Sequence, residues 1–179
     1  MLVELAVARL GLDSGTNSYV VILRERGGRR LLPIWIGQGE AESIAAHLGR
    51  VRRDRPMTHD LCRALIAALG GTLRRVVITR VHNNTYFAEL QLGGAAGPAH
   101  VDARPSDSIA IALRCHAGIF ASAALLVEPE GDDAHAAEPD GEADGDEGGQ
   151  AVAPAELTPD ELKAYLANLR PEDFGRFLP

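Results

Sequence analysis

The sequence predicts an α+β fold: a mixed or antiparallel sheet, about three helices in the main body, and a further helix near the C-terminus. Three observations carry this expectation. Strand-like and helix-like runs intersperse without strict βαβ alternation. Asn83-Asn84 separates two aliphatic runs, and Asn tolerates the positive φ that a tight antiparallel hairpin needs. A stretch rich in Glu, Asp, Gly, Ala and Pro has almost nothing to bury and separates the body from a short amphipathic segment. The organisation expected is a main domain over 1–127, an acidic disordered linker over 128–155, and a C-terminal helix with a Pro-Glu-Asp-Phe tail over 156–179.

Leu2 to Leu12, Tyr19 to Arg24 and Leu31 to Ile36 read as three strands, because aliphatic and β-branched residues are punctuated by turn chemistry at 13–17 and at Gly27-Gly28. From Gly39 to Leu48 the apolar residues Ala41, Ile44, Ala45 and Leu48 recur at helical spacing, with Gly49 as a stop. This helix carries Glu40, Glu42 and His47. An arginine-dense loop, Arg50, Arg52, Arg53 and Arg55, leads through Pro56 into a second helix, Thr58 to Leu69, ended by Gly70-Gly71. Leu73 to His82 and Thr85 to Leu92 form the hairpin. A short strand at His100 to Ala103 precedes a third helix, Pro105 to Cys115, with Ile109, Ala112 and Leu113 on its apolar face. Gly118 to Phe120 and Leu125 to Val127 read as closing strands. Thr158-Pro159-Asp160-Glu161 is a capping box, and Leu162, Tyr165, Leu166 and Leu169 then form a stripe that must dock on the body or on a partner.

The formal charge of −7 is unevenly distributed. Residues 1–127 hold 15 Arg against 10 acids, a net of +5, whereas 128–150 hold ten acids and no Lys or Arg. A basic body is therefore masked by an acidic tether, and the body suits a polyanion. Cys62 and Cys115 fall inside helices without metal-ligand spacing and read as buried hydrophobes of a reducing compartment. No signal peptide and no membrane-spanning apolar run of about 18 residues is visible, which makes the cytoplasm the expected location. Walker A, Rossmann, His-Glu-x-x-His and Gly-x-Ser-x-Gly patterns are lacking. Aromatic residues are too few for a base-stacking platform.

The chemistry concentrates in two related segments, Arg55-Pro56-Met57-Thr58-His59-Asp60 and Asp102-Ala103-Arg104-Pro105-Ser106-Asp107, each just before a helix. Helix N-termini carry unpaired N–H groups and partial positive charge, so a guanidinium, a hydroxyl and a carboxylate there can present a phosphate-sized site. Arg55, Thr58, Arg104 and Ser106 are the candidate phosphate ligands. Asp60, Asp102 and Asp107 are candidates for holding a divalent cation, Mg2+ or Mn2+, through hard oxygen ligands. His59, beside a carboxylate and an arginine, can move a proton, and Glu40 joins the candidate catalytic set if it converges with Asp60 or Asp107. The same residues also read structurally: Thr58 and Ser106 as caps, Asp60 and Asp107 as complements to the helix dipole, and Arg104 paired with Asp102.

Three motifs in order, Leu32-Pro33-Ile34-Trp35-Ile36-Gly37 with Glu40-Ala41, Arg55 to Leu61, and Asp102 to Ala110, resemble the bifunctional nuclease domain family, formerly a domain of unknown function. Pro171-Glu172-Asp173-Phe174 resembles the tail that members carry after an acidic spacer. The resemblance implies a compact α+β domain, a homo-oligomer, and the nuclease activity on RNA and DNA found in some members; together with the basic body and the two Arg-Pro segments it leads to the expectation of a metal-assisted nuclease with little sequence preference. The alternative is a noncatalytic oligomeric interaction module, or an anion-binding regulator, in which the same residues are caps and ion pairs.

Overall fold

The computed structural model describes residues 1–13, 17–95 and 97–129. The expected linker beyond residue 129, the terminal helix and the Pro-Glu-Asp-Phe tail lie outside the described residues. The fold is α+β. Three strands, β1 (Leu2–Asp13), β2 (Ser18–Glu25) and β3 (Leu31–Ile36), lead into α1 (Gln38–Leu48). After α2 (Thr58–Ala68) come β4 (Gly71–His82), β5 (Thr85–Gly94) and β6 (Ala99–Ala103), then α3 (Pro105–Cys115) and β7 (Gly118–Ser122). Both halves thus run as an antiparallel meander followed by a helix.

The seven strands form one sheet in the order β3-β2-β1-β7-β4-β5-β6. Only β4 and β7 pair in parallel; the other pairs are antiparallel. Alternation selects one face for the core: Val3 and Leu5, Val21 and Leu23, Leu32 and Ile34, Val76 and Ile78, Ala88 and Leu90, Ile119 and Ala121 are buried at two-residue spacing and pack together. Asn83 and Asn84 both take positive φ, 47° and 56°, and close the β4–β5 hairpin as their chemistry predicts. Pro33 sits in β3, an edge strand, where its missing N–H breaks only one ladder. The segment around Leu125–Val127 is a 3₁₀ turn (Ala123–Leu125) with a single bridge from Val127 to Leu31, not the expected strand. No helix among the described residues is long and apolar enough to cross a membrane.

Register shifts interrupt β1 between Val7 and Arg9, and β4 at Leu73/Arg75 and Ile78/Arg80. Bulges bend a strand and increase its twist, so these long central strands curl the sheet around the helices. The consequence is visible at the edges. β3 and β6 end the sheet on opposite sides, yet α1 and α3, which follow them, pack against each other. The central helix α3 is buried along most of its length, from Pro105 to Arg114, and its small residues Ala110 and Ala112 are fully enclosed. α2 lies on α3 and β4 with its outer side exposed.

Candidate active site

The curled sheet brings the N-termini of α1, α2 and α3 together, and with them the two Arg-Pro segments. Their link is His59, 9% exposed in the first turn of α2. Its Nε2 lies 3.0 Å from Asp107 Oδ1 in the first turn of α3, and its Nδ1 lies 2.7 Å from Ser43 Oγ on α1. The roles of the ring nitrogens follow from the partners. Burial raises the Asp107 carboxyl, but the hydrogen bonds from Arg104 and then His59 outweigh it and hold the group below its ordinary range. Asp107 is therefore an acceptor, Nε2 carries the proton that it receives, and in the singly protonated ring Nδ1 is left to accept from the Ser43 hydroxyl.

Arg104 continues the chain of contacts. Its Nε and Nη2 donate to Asp107 at 2.7 and 3.1 Å, and its Nη1 reaches Glu40 Oε1 on α1 at 2.8 Å. On the other side of His59, Asp60 Oδ2 accepts the Met57 N–H at 2.9 Å and Oδ1 accepts from Arg114 Nε at 2.6 Å. Burial alone would raise the Asp60 carboxyl; the Met57 N–H and Arg114 overcome it and lower it. Arg114 is only 6% exposed and donates also to the carbonyls of Ala110 and Ser43, at 3.0 and 3.1 Å. It ties α1, α2 and α3 into one unit.

Ser43 opens onto a cleft of about 510 Å³ between α1, the 50–57 loop and the start of α2. Arg50, Arg53, Arg55 and Arg114 line it together with Glu42, Asp54 and Asp60. Glu42 is held by Gln38 and Asp60 by Arg114, whereas the exposed guanidiniums of Arg50, Arg53 and Arg55 have no ion-pair partner among the described residues. Three uncommitted guanidiniums beside a hydroxyl are an anion-binding wall. His47 also lines the cleft; burial, followed by Arg114 and His116, lowers its pKa and favours the uncharged ring.

The structure gathers Glu40, His59, Asp60, Arg104 and Asp107, and it places Arg55 on the cleft wall. Three expectations change. Arg104 pairs with Asp107 and Glu40, not with Asp102. Asp102 faces Glu89 in the β5–β6 register, so it shares the strand side of His100, which bonds Glu89, opposite to core-packed Ala103. The N-caps are Met57 and Arg104, without side-chain cap bonds, so Thr58 and Ser106 are inside their helices. Thr58 is exposed, and Ser106 is buried beside a second cavity lined also by Glu40 and Arg104. Arg104 is committed to two carboxylates and does not line the main cleft. Sequence reasoning missed Ser43 and Arg114. A polar residue beside Ile44 and Ala45, and an arginine four residues after Ala110 on a core helix, were the available signals.

The sequence profile of the bifunctional nuclease domain matches residues 21–132. The chain belongs to the bifunctional nuclease domain family. An uncharacterised protein of Mycobacterium tuberculosis is 40% identical over 177 residues, 96% of this chain and 97% of that protein. Bifunctional nuclease 1 of Arabidopsis thaliana is 30% identical over 106 residues, 58% of this chain and 33% of that protein. Bifunctional nuclease 2 of the same plant is 36% identical over 103 residues, 55% of this chain and 31% of that protein.

Ser43, His59, Asp107 and the cleft arginines all fall within the bifunctional nuclease domain as matched, whereas β1 precedes it. Among the described residues, the carboxylates of this site are not arranged as a cage for Mg2+ or Mn2+. Among the described residues no three His, Cys, Asp or Glu side chains are grouped as ligands, and Glu40, Asp60 and Asp107 each already hold a guanidinium. The arrangement suits proton transfer instead: a hydroxyl, an imidazole and a carboxylate in series, with cationic side chains at the hydroxyl end.

Proposed function

We propose that this chain is a nuclease that cleaves phosphodiester bonds of RNA and DNA with little sequence preference, in the cleft between α1 and the start of α2. The observation that carries the reading is the series Ser43–His59–Asp107 opening onto Arg50, Arg53 and Arg55. The three arginines bind backbone phosphates, which are common to both nucleic acids and carry no base information. His59 Nδ1 receives the proton of the attacking group and returns it to the leaving oxygen, and Asp107 holds the ring in the tautomer that makes this exchange. Arg104 and Glu40 fix Asp107 from behind, while Arg114 and Asp60 fix the backbone around Ser43. No step needs a resident metal, since the carboxylates are used to position other groups.

The test is cleavage of end-labelled single-stranded RNA and DNA by the purified full chain, with His59→Ala alongside and with a chelator added. The expected result is cutting of both substrates, retained in the chelator and lost in the variant by about 10²–10⁴-fold, the usual contribution of a general base. A folded His59→Ala protein that cuts as fast as wild type would remove this mechanism. Assembly into a homo-oligomer belongs to the same proposal. The exposed row Leu61 and Leu65 on α2, with Met57 and Leu69 at its two ends, is an apolar surface that a second copy could cover, and light scattering of wild type against Leu61→Glu/Leu65→Glu checks it.

A further inference from the structure

We propose that Ser43 is the nucleophile, and that cleavage proceeds through a covalent phosphodiester on its Oγ. This deepens the nuclease reading above and rests on it. Three observations point to Ser43 rather than to water. The basic lone pair of the relay, on His59 Nδ1, is already aimed at Ser43 Oγ at 2.7 Å, so a water would have to displace the hydroxyl to be activated. The Ser43 backbone is anchored, because its carbonyl accepts from buried Arg114. Gly39, one helical turn before Ser43, also lines the cleft, and a Cβ there would meet nothing within 4 Å. Packing does not require glycine at that place. Its bare backbone leaves room for a phosphate above the hydroxyl.

Compared with the Ser-His-Asp hydrolases, the two ring nitrogens have exchanged partners: the serine meets Nδ1 and the aspartate Nε2. The roles are unaffected, since one nitrogen must accept while the other donates. In the first step Ser43 Oγ bonds to phosphorus, its proton passes to His59 Nδ1, and the bond from phosphorus to one nucleoside oxygen breaks. That oxygen leaves with the proton from Nδ1. In the second step water attacks phosphorus, gives a proton to Nδ1, and Ser43 Oγ leaves and recovers it. The sum is one phosphodiester and one water giving a phosphomonoester and an alcohol. Because the nucleophile comes from the protein, the ribose 2′-hydroxyl is not needed, which accounts for action on DNA as well as RNA.

The experiment uses the full chain with bis(p-nitrophenyl) phosphate and with a labelled DNA oligonucleotide, comparing wild type, His59→Ala, Ser43→Ala, Ser43→Cys and Gly39→Leu. A burst of p-nitrophenolate stoichiometric with protein is expected in wild type. So is an acid-stable mass increase on the peptide containing Ser43. Ser43→Ala should lose both and cut at least ~10³-fold more slowly. Ser43→Cys keeps a nucleophile at the position and should retain a measurable adduct, and Gly39→Leu should fold normally but bind substrate weakly. If wild type and His59→Ala differ strongly in cleavage while Ser43→Ala cuts like wild type, the nucleophile assignment is overturned and the nuclease reading stands. If wild type itself does not cut, both fall.

Discussion

Asp107→Asn keeps the size of the side chain and changes what His59 meets. The native carboxylate accepts from His59 Nε2 at 3.0 Å and from Arg104 at 2.7 and 3.1 Å. A carboxamide offers one acceptor oxygen, which Arg104 retains because it supplies two donors and a full charge. The amide nitrogen then faces His59, and an N–H directed at Nε2 selects the tautomer protonated on Nδ1. That tautomer cannot take the Ser43 proton. For stability, two charge-assisted hydrogen bonds are weakened at a partly solvated site, a loss of about 2–3 kcal/mol. In a domain of this size that lowers Tm by about 6–10 °C. For activity the wrong tautomer is far more damaging: the equivalent change in Ser-His-Asp hydrolases costs about 10⁴-fold in kcat. The assay is the initial rate on labelled RNA and DNA well below the variant's Tm, with the fold checked by circular dichroism. A folded variant that cuts within about threefold of wild type would refute the relay.

Arg114→Met removes the donor to Asp60, Ser43 and Ala110 and leaves Asp60 half-buried without its cation, so urea denaturation should show a loss of about 3 kcal/mol; a loss under ~0.5 kcal/mol would contradict the role given to it. Asp102→Asn, on the opposite side of its strand from the core, should leave cleavage of a labelled oligonucleotide unchanged, and a large fall in rate would return Asp102 to the site. Asp60 and Asp107 have folded-state pKa values below the ordinary 3.8, so their contribution to stability is present above that value and is lost as pH falls through the lower folded values. Thermal melts of Asp107→Asn should therefore decline less steeply than wild type below about pH 4, and parallel curves would show that another group governs acid unfolding. Deleting Glu128 to Gln150 removes ten acids tethered to a basic body and should tighten nucleic-acid binding most at low salt, measured by fluorescence anisotropy. Equal affinity at every salt concentration would rule out that competition.

Much of the secondary structure was legible because its signals are local. Asn83-Asn84, Gly70 and the Pro105 start act within a few residues, and α3 runs from Pro105 to Cys115 as its sequence predicts. The last expected strand failed because Leu125 to Val127 is short and apolar, a pattern that fits a 3₁₀ turn packed on the core as well as a strand. The expected pairing of Asp102 with Arg104 failed for a related reason. Five positions from Asp107 in sequence, Asp102 lies in the sheet while Asp107 lies in a helix, so the alternation of β6 turns it toward Glu89.

The sequence by itself determined the α+β class, the two Arg-Pro segments as the centre of the molecule, and the basic arginine-rich body, because periodicity, turn chemistry and charge are properties of the chain in order. Only the tertiary structure decided which of those residues meet. Bulges in β1 and β4 curl the sheet until α1, α2 and α3 converge, and that curvature sets His59 between Ser43 and Asp107, which lie 16 and 48 residues from it in the chain. No local rule links positions so far apart. The physical reason is that side chains brought together across a curved sheet are selected by packing of the whole core, and Ser43, unremarked on its helix, acquires a base only there.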